Sequence, residues 1–309
     1  MSLNSGVSTN TVKTALDEVF MQSYDGDQAP EEARASDSVI FQQESSDKSA
    51  EIMEVFAGVG KWETRAELQD VPSDNPSVDD QKTFTISNYA KSVDISKNFF
   101  DDDMHSTVSR MIKDMGEMAR ISQDDTAMSL FRNSFTTETT VDGQAWFSDS
   151  HTNRNGDTVD NLETGVLTEA SLETLIISLR EQLNQRGVVR GANPHCLLVP
   201  PALYKDASEI LESELRSATA DNDMNVYSAK YGIFLKQSPY LGAAAGGSDT
   251  AAFLLGRNHS AYRFVRQGIG TDLVSYEYQR NNAYIYKGEY RETLGALTYE
   301  GAVATNGTV

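Results

Sequence analysis

The chain has 309 residues, of which 39% are hydrophobic, and it carries a formal net charge of −20. Because domains usually contain about 100–200 residues, this length predicts two compact lobes with extensions. No stretch approaches the roughly 18–20 consecutive apolar residues of a membrane span, and the N-terminal MSLNSGVSTN lacks the features of a signal peptide. We therefore expect a soluble protein that has no membrane partner and stays in the compartment where it is made.

The acidic charge and the single cysteine exclude further classes. Proteins that bind duplex nucleic acid place Lys and Arg against the phosphates, so a net charge of −20 argues against direct nucleic-acid binding. One cysteine, Cys196, excludes an intramolecular disulfide. Its position in the apolar run CLLV predicts a buried, unreactive thiol.

Residues 1–56 are predicted to form an arm with little core of its own. Apolar residues at helical spacing predict one short amphipathic helix over Thr11–Tyr24. The later tract QQESSDKSAE is polar and is typical of an irregular segment. Such an arm needs another surface on which to lie.

A long hairpin is predicted to follow the arm. The run from Gly60 to Leu68 alternates, with Trp62 on the apolar face and Arg65 on the polar face, which predicts a strand. A second strand is predicted over Thr83–Ser96, with a bulge or bend near Asn88–Ser92 where the apolar phase reverses. An isolated hairpin is marginal in water, so we expect its apolar face to pack on something else.

A long helix is predicted after the hairpin, from the three aspartates Asp101–Asp103 to about Asn133. Its apolar stripe begins with Met104, Val108 and Met111 at spacings of four and three. Thirty residues at 1.5 Å per residue would span about 45 Å. This length suits a strut better than an ordinary domain helix.

The remaining sequence predicts short helices and strands. Helices are expected over Thr168–Arg186, ending at Gly187, and from Pro201 to Leu215, with the buried strand HCLLVP between them. Further strands are predicted over Tyr231–Ser238, Ala251–Leu255, Ser260–Gln267, Leu273–Gln279 and Ala283–Thr293, before a Gly-punctuated tail. The predicted class is α+β.

The order of these elements, together with three local motifs, resembles one protein family. The motifs are Val141–Phe147 followed by His151, Leu197–Leu203 with its strand-to-helix step, and Phe99–Asp103 before the long helix. They resemble the major capsid proteins of tailed bacteriophages, and the Mu-like major head subunits in particular. The resemblance extends over roughly residues 50–300, and its specificity comes from the order and spacing of the motifs.

The resemblance implies a domain organisation. It comprises an N-terminal arm (1–56), an extended hairpin loop (57–100), a peripheral domain with a spine helix (101–194), an axial domain (195–288) and a return to the peripheral domain (289–309). The sequence lacks the long, charged, helical N-terminal segment of relatives with a built-in scaffold. A separate scaffolding protein is therefore implied, or a segment already removed.

The resemblance also implies a function without catalysis or cofactor. The chain would self-assemble through pentamers and hexamers into an icosahedral or prolate shell around a phage genome, in a virion assembled in the cytoplasm of a bacterial host. Its implied partners are further copies of itself, a scaffolding protein, a portal, and a decoration protein or maturation protease. Alternatives are a nanocompartment shell of the same fold, another phage structural component such as a tail or portal part, and a hydrolase using Asp149 and His151.

Candidate chemical residues favour structural roles. His151 lies near Asp142, Asp149 and Asp157, but in a Gly/Asn/Ser-rich turn, which favours hydrogen bonding within a loop over a metal or general-base site. Ser148 and Ser150 lack the Gly-x-Ser-x-Gly context of a nucleophile. No histidine or cysteine spacing predicts a metal site.

Two acidic clusters and three other histidines are interpreted in the same way. Asp101–Asp103 and Asp124–Asp125 indicate helix capping and a solvated face. His105, His195 and His259 have no second ligand at metal spacing, which favours structural roles for all three.

The candidate functional residues are therefore contacts between subunits. Trp62, Phe84 and Ile86 are predicted to lie on a neighbouring subunit, because the sequence offers them too little cover within one chain. Arg65, on the polar face of the hairpin, is predicted to select orientation through charge complementarity.

Overall fold

The computed structural model describes residues 9–26, 29–74, 80–102, 105–213, 227, 231–274 and 283–308. The α-helices in these residues are α1 Thr9–Asp25, α2 Lys97–Asp101, α3 His105–Arg132, α4 Glu169–Glu181 and α5 Pro201–Glu212. The strands before α4 are β1 Gln42–Ser45, β2 Ala50–Val55, β3 Asp80–Thr85, β4 Ser87–Ser96, β5 His151–Thr152, β6 Thr158–Val159 and β7 Leu162–Glu163. Those after it are β8 Pro194–Val199, β9 Phe234–Gln237, β10 Ala252–Gly256, β11 Ala261–Val274, β12 Ala283–Ala296 and β13 Ala302–Thr305.

The N-terminal segment packs on its own chain. The predicted helix is confirmed as α1, which lies against α3 with Phe20 fully buried. Ile40 and Phe41 are also fully buried. The expectation that residues 1–56 have little core is therefore wrong for α1 and for Ile40 and Phe41. The apolar side chains of the irregular backbone around residue 40 pack against α3.

The hairpin exists, but with a different first strand. The segment from Gly60 to Leu68 contains no strand, and β3 pairs instead with β2, from Ala50 opposite Thr85 to Val55 opposite Asp80. The alternation at 60–68 was correct as a pattern, but no strand of the described residues pairs with it. Ile86 separates β3 from β4, and the pairing of β4 runs unbroken from Ser87 to Ser96, so the bulge or bend predicted near Asn88–Ser92 is wrong.

The first sheet contains β1, β11, β12 and β4 in that order. Strands β11 and β12 form a long antiparallel hairpin, and β4 adds to it at one edge. The strand predicted over Ser260–Gln267 continues to Val274 as one strand, with register shifts on either side of Gln267. Residues 275–279 of the strand predicted over Leu273–Gln279 lie outside the described residues.

The long helix is confirmed as α3, but it begins later than predicted. The short helix α2 precedes it, capped by the Ser96 hydroxyl, which accepts a hydrogen bond from the Phe99 backbone N–H. Asp101 is the last residue of α2, so it does not open α3, and Asp103 and Met104 lie outside the described residues. The 28 residues of α3 correspond to a length of about 42 Å.

The second sheet has the order β7, β13, β10, β8, β9 and is covered on both faces. In β8, Leu197 and Val199 pack toward α4 and α5, whereas Cys196 and Leu198 pack toward α3 and the N-terminal segment. This alternation explains why HCLLVP is apolar throughout, since successive side chains of a strand point to opposite faces. The thiol of Cys196 is buried, as predicted, and burial raises its pKa.

Two details of this half differ from the sequence prediction. The helix predicted to reach Arg186 ends at Glu181, because the side chain of Gln182 bonds the backbone of the C-terminal turn, at Tyr299 (3.1 Å) and Gly301 (2.8 Å). The Gly-punctuated tail predicted after Thr293 extends β12 to Ala296 and then contributes β13, which lies between β7 and β10 in the second sheet.

Candidate functional site

The segment around His151 forms a closed hydrogen-bond arrangement. Its Nδ1 lies 2.7 Å from Oδ2 of Asp142, and its Nε2 lies 3.1 Å from the carbonyl oxygen of Trp146. The His151 side chain is fully buried. Burial alone would raise the pKa of Asp142, but hydrogen bonds from His151 and Thr140 outweigh it, and the pKa lies below its usual value.

This geometry gives His151 a structural role. Both ring nitrogens have protein partners, so neither is left to activate a nucleophile. Ser148 and Ser150 place their hydroxyls 3.1 Å from each other. The segment joins the turn at Asp142 to the core aromatic Trp146, and the prediction of a hydrogen-bonding loop is confirmed.

The second acidic cluster, Asp124–Asp125, forms hydrogen bonds and an ion pair within its own chain. Asp124 is buried, not solvated as expected, and its Oδ1 accepts a hydrogen bond of 2.9 Å from the Ala35 backbone N–H. Asp125 pairs with Arg132 at 2.6 Å. Within the described part of the chain, no group of three or more His, Cys, Asp or Glu side chains is arranged to hold a metal ion. No helix of that part is long and apolar enough to cross a bilayer.

The most unusual surface is the loop between β2 and β3, which we call the apolar loop and define as residues 56–74. Five of its apolar side chains are exposed: Phe56, Val59, Trp62, Leu68 and Val71, with Trp62 98% and Leu68 96% exposed. Several large apolar side chains exposed in one loop make it the candidate interaction surface of the subunit. Sequence reasoning identified Trp62 but missed Phe56, Val59 and Val71, although the run VFAGVG signalled apolar residues in polar surroundings.

The base of the apolar loop is fixed to the body of the subunit. Lys82 on β3 pairs with Glu138 at 2.7 Å and also donates to the carbonyl oxygens of Thr139 (2.7 Å) and Ala296 (2.8 Å). Arg154 pairs with Asp80 at 3.1 Å. At the last residue of the loop, Asp74, an ion pair of 3.0 Å forms with Arg186. These contacts orient the loop while its apolar side chains remain exposed.

The four predicted contact residues separate into two pairs. Trp62 and Arg65 lie in the apolar loop, where Arg65 donates from Nε to the Gln69 carbonyl oxygen. Phe84 and Ile86 are 3% and 8% exposed within the subunit, so the expectation that they lack cover in one chain is wrong. Phe84 packs against Phe264 of β11, with ring centroids 5.3 Å apart, in a buried cluster that also contains Val55 and Leu297.

Known proteins share this architecture. No curated protein sequence matches the chain, but the sequence model of the family described as phage capsid protein matches residues 79–305. The capsid structure of the cyanophage P-SCSP1u is similar at a TM-score of 0.56 with 12% identity, covering 91% of this chain and 90% of that one.

Two further solved structures are similar along nearly the whole chain. The capsid of a native GTA particle gives a TM-score of 0.55 at 11% identity and full coverage of both chains. A virus-like particle from Pyrococcus furiosus gives 0.55 at 11% identity, covering 94% of this chain and 98% of that one. At such low identity these likenesses show the fold alone.

Together, the family match and the fold define a structural subunit of a capsid shell. The family match spans well over half of the chain. The chain belongs to the phage capsid protein family, which confirms the α+β capsid fold and the resemblance read from the sequence.

Proposed function

We propose that this subunit builds the head shell around a phage genome, as a major capsid protein in pentamers and hexamers. The observation that carries the proposal is the apolar loop, because a folded subunit that exposes Trp62 and Leu68 almost completely requires a partner to cover them. In a closed shell every copy has an equivalent neighbour, so each loop can be covered in the same way.

Trp62 is proposed as the principal contact of the loop. Covering a tryptophan removes about 150–250 Å² from water, which at about 25 cal/mol per Å² corresponds to roughly 4–6 kcal/mol before the costs of association. Arg65 is proposed to select the orientation of the neighbour by its charge. Phe84 and Ile86 are buried at the base of the loop inside their own subunit, and they are not proposed as direct contacts.

The predicted division into arm, loop, peripheral and axial domains is retained as a proposal. The second sheet, covered by α4 and α5, is the candidate for the axial lobe, and α3 is the candidate spine helix. Strand β12 passes through the predicted boundary at 288/289, so the return to the peripheral domain would begin inside a strand. A scaffolding protein, a portal, and a decoration protein or protease are proposed partners, and assembly is proposed to occur in the host cytoplasm.

The second candidate is a nanocompartment shell that encloses protein instead of a genome. It is favoured by the similarity to the virus-like particle from Pyrococcus furiosus over 94% of this chain. The net charge of −20 suits a wall that does not adhere to DNA, but any shell can carry it. The content of purified particles, read from the ratio of absorbance at 260 and 280 nm and from gels, separates the two candidates.

The hydrolase alternative requires His151 as a general base, but His151 is buried and both of its ring nitrogens are hydrogen-bonded. His151→Ala is expected to lower the stability of the subunit, and its effect on function is measured through particle assembly.

The test of the proposed function is assembly of the full chain, expressed alone and with its neighbouring open reading frames. Negative-stain electron microscopy and light scattering should show shells, or free pentamers and hexamers. Trp62→Asp should abolish them while leaving the subunit folded, whereas the matched Trp62→Phe should assemble. A uniform monomer under both expression conditions, or normal shells from Trp62→Asp, would contradict the proposal.

A further inference from the structure

We propose that residues 60–68 of one subunit pair with the free edge of β4 in a second copy and add a fifth strand to its first sheet. The inference rests on the proposed function, in which the apolar loop contacts a neighbouring subunit. It identifies the partner surface and the kind of contact.

The first observation is a strand pattern without a strand. Residues 60–68 alternate between apolar and polar side chains, yet the segment is exposed, has no β pairing in the described residues and ends in a turn at Glu67 and Leu68. Two backbone hydrogen bonds are local, from Ala66 N–H to the Gln69 side chain and from Gln69 N–H to the Ala66 carbonyl, and the Gly60 N–H donates to the Asp74 carboxylate at the end of the loop. Leu68 has a φ of 67°, a left-handed conformation that is unfavourable for a residue with a Cβ, and no packing compensates for it.

The second observation is an unpaired sheet edge. Strand β4 ends the strand order of the first sheet, and among the described residues no strand pairs with its outer side. Every second residue of an edge strand directs its N–H and C=O groups outward, which makes such an edge a template for another strand. Over its ten residues β4 is long enough to pair with all of 60–68.

The third observation is an apolar groove along the same edge. It has a volume of about 330 Å³ and lies between β4, β12, α1 and α3; its apolar lining includes Phe20, Tyr89, Met115, Met118 and Tyr290. Four consecutive residues of β4, Asn88 to Lys91, also line it. These four residues place the groove alongside the open edge of β4.

The two surfaces match when the strand is added. On β4, Tyr89 and Val93 face the helices, since Tyr89 stacks on Tyr290 at 4.9 Å and Val93 packs in the cluster of Phe20. If residues 60–68 lie beside β4 with Trp62 on that same face, the indole ring adds to the lining of the groove. The polar residues of 60–68 then lie on the other face, beside the exposed residues of β4. Methionines such as Met118 adapt readily to an incoming aromatic ring.

Engineered disulfides test the pairing in assembled particles. Glu63 shares the polar face of the segment, and Asn88, Ala90 and Ser92 share the outer face of β4, so Glu63→Cys is combined in turn with a cysteine at each of the three. Directly opposed residues have Cα atoms about 4.5–5.5 Å apart, within the range of disulfides. Cys196 is fully buried and does not compete.

At least one pair should give a ladder of covalent oligomers on a non-reducing gel. The matched control joins Glu63→Cys with Gln43→Cys on β1, at the opposite edge of the same sheet, and should give none. Particles in which none of the three pairs cross-links, or in which only an internally bridged monomer appears, would overturn the inference while leaving the shell function intact. Failure of the unaltered protein to form particles would instead overturn the proposed function, and this inference with it.

A second variant separates backbone pairing from side-chain contact. Thr64→Pro removes one N–H from the middle of the segment and should reduce particle yield at least tenfold with the subunit still folded. Thr64→Val, which keeps the N–H and favours strands, should assemble like the unaltered protein. Normal yield from Thr64→Pro would show that the segment does not pair as a strand.

Discussion

His259 should make the subunit less stable in mild acid. The side chain is 3% exposed, and its Nδ1 accepts a hydrogen bond of 3.2 Å from the Ala261 N–H, so the proton of the neutral ring lies on Nε2. Burial lowers the pKa of His259 to about 4 from an ordinary value of 6.5. Protonation would place a positive charge in the interior. It would also put a proton on Nδ1, which could then no longer accept the hydrogen bond from Ala261.

The sign and size of the effect follow from proton linkage. The unfolded chain binds the proton more tightly than the folded one, so the stabilisation is complete above pH 6.5 and declines as the pH falls toward 4. At about 1.4 kcal/mol per pH unit, the loss relative to pH 7.5 is about 1.4 kcal/mol at pH 5.5 and about 2.5 kcal/mol at pH 4.5.

The comparison variant is His259→Gln, whose amide can supply an acceptor and a donor without titrating. The free energy of unfolding is measured in urea on unassembled subunits, by the fluorescence of the buried Trp146, since Trp62 is already exposed. The difference between the unaltered protein and His259→Gln should decline with acid by these amounts. A difference that stays constant from pH 7.5 to 4.5 would refute the assignment of a buried neutral imidazole.

Three further predictions concern the core. Gly116→Ala should destabilise the subunit by about 1–2 kcal/mol, as measured by thermal unfolding, although alanine favours helices. The reason is that the new Cβ would lie 2.5 Å from the Phe20 carbonyl oxygen and would push α1 away from α3. Arg263→Met should cost about 3–5 kcal/mol at pH 7.5, since it leaves Glu292, 1% exposed, without its 2.9 Å partner. Burial already raises the pKa of Glu292, so this deficit relative to the unaltered protein should shrink as the pH falls and the carboxylate is protonated. Cys196 should react with thiol reagents only after unfolding, as followed by the absorbance of the released product.

Each of these has a control and a contrary result. Gly268→Ala places its Cβ in open space and should be nearly neutral, so equal losses at both glycines would contradict the steric argument. Arg263→Met combined with Glu292→Leu should recover much of the stability, and no recovery would show that the charge was not the cause. Labelling of Cys196 at the same rate in native and denatured protein would place the thiol at the surface.

The local sequence determined the helices and much of their packing. The apolar spacing of α1, α3, α4 and α5 specified a buried face in each case, and the uniformly apolar HCLLVP specified a strand covered on both sides. The segment around His151 was also predictable, because a histidine among turn residues next to Trp146 favours hydrogen bonds within the loop. These features depend on residues close together in the chain, where periodicity is informative.

Only the tertiary structure decided which strands pair and what covers the hairpin. Alternation shows that residues 60–68 suit a strand, but a strand needs a partner, and the strand that pairs with β3 is β2, Ala50–Val55. Phe84 and Ile86 looked uncovered because Phe264, the ring that packs on Phe84, lies 180 residues away in the sequence. Strand β13 was missed because its place between β7 and β10 is fixed by pairing across the whole C-terminal half. The local sequence shows directly which face of each helix or strand is apolar. Which strands pair depends instead on the free energy of the whole folded core, to which residues distant in the sequence also contribute.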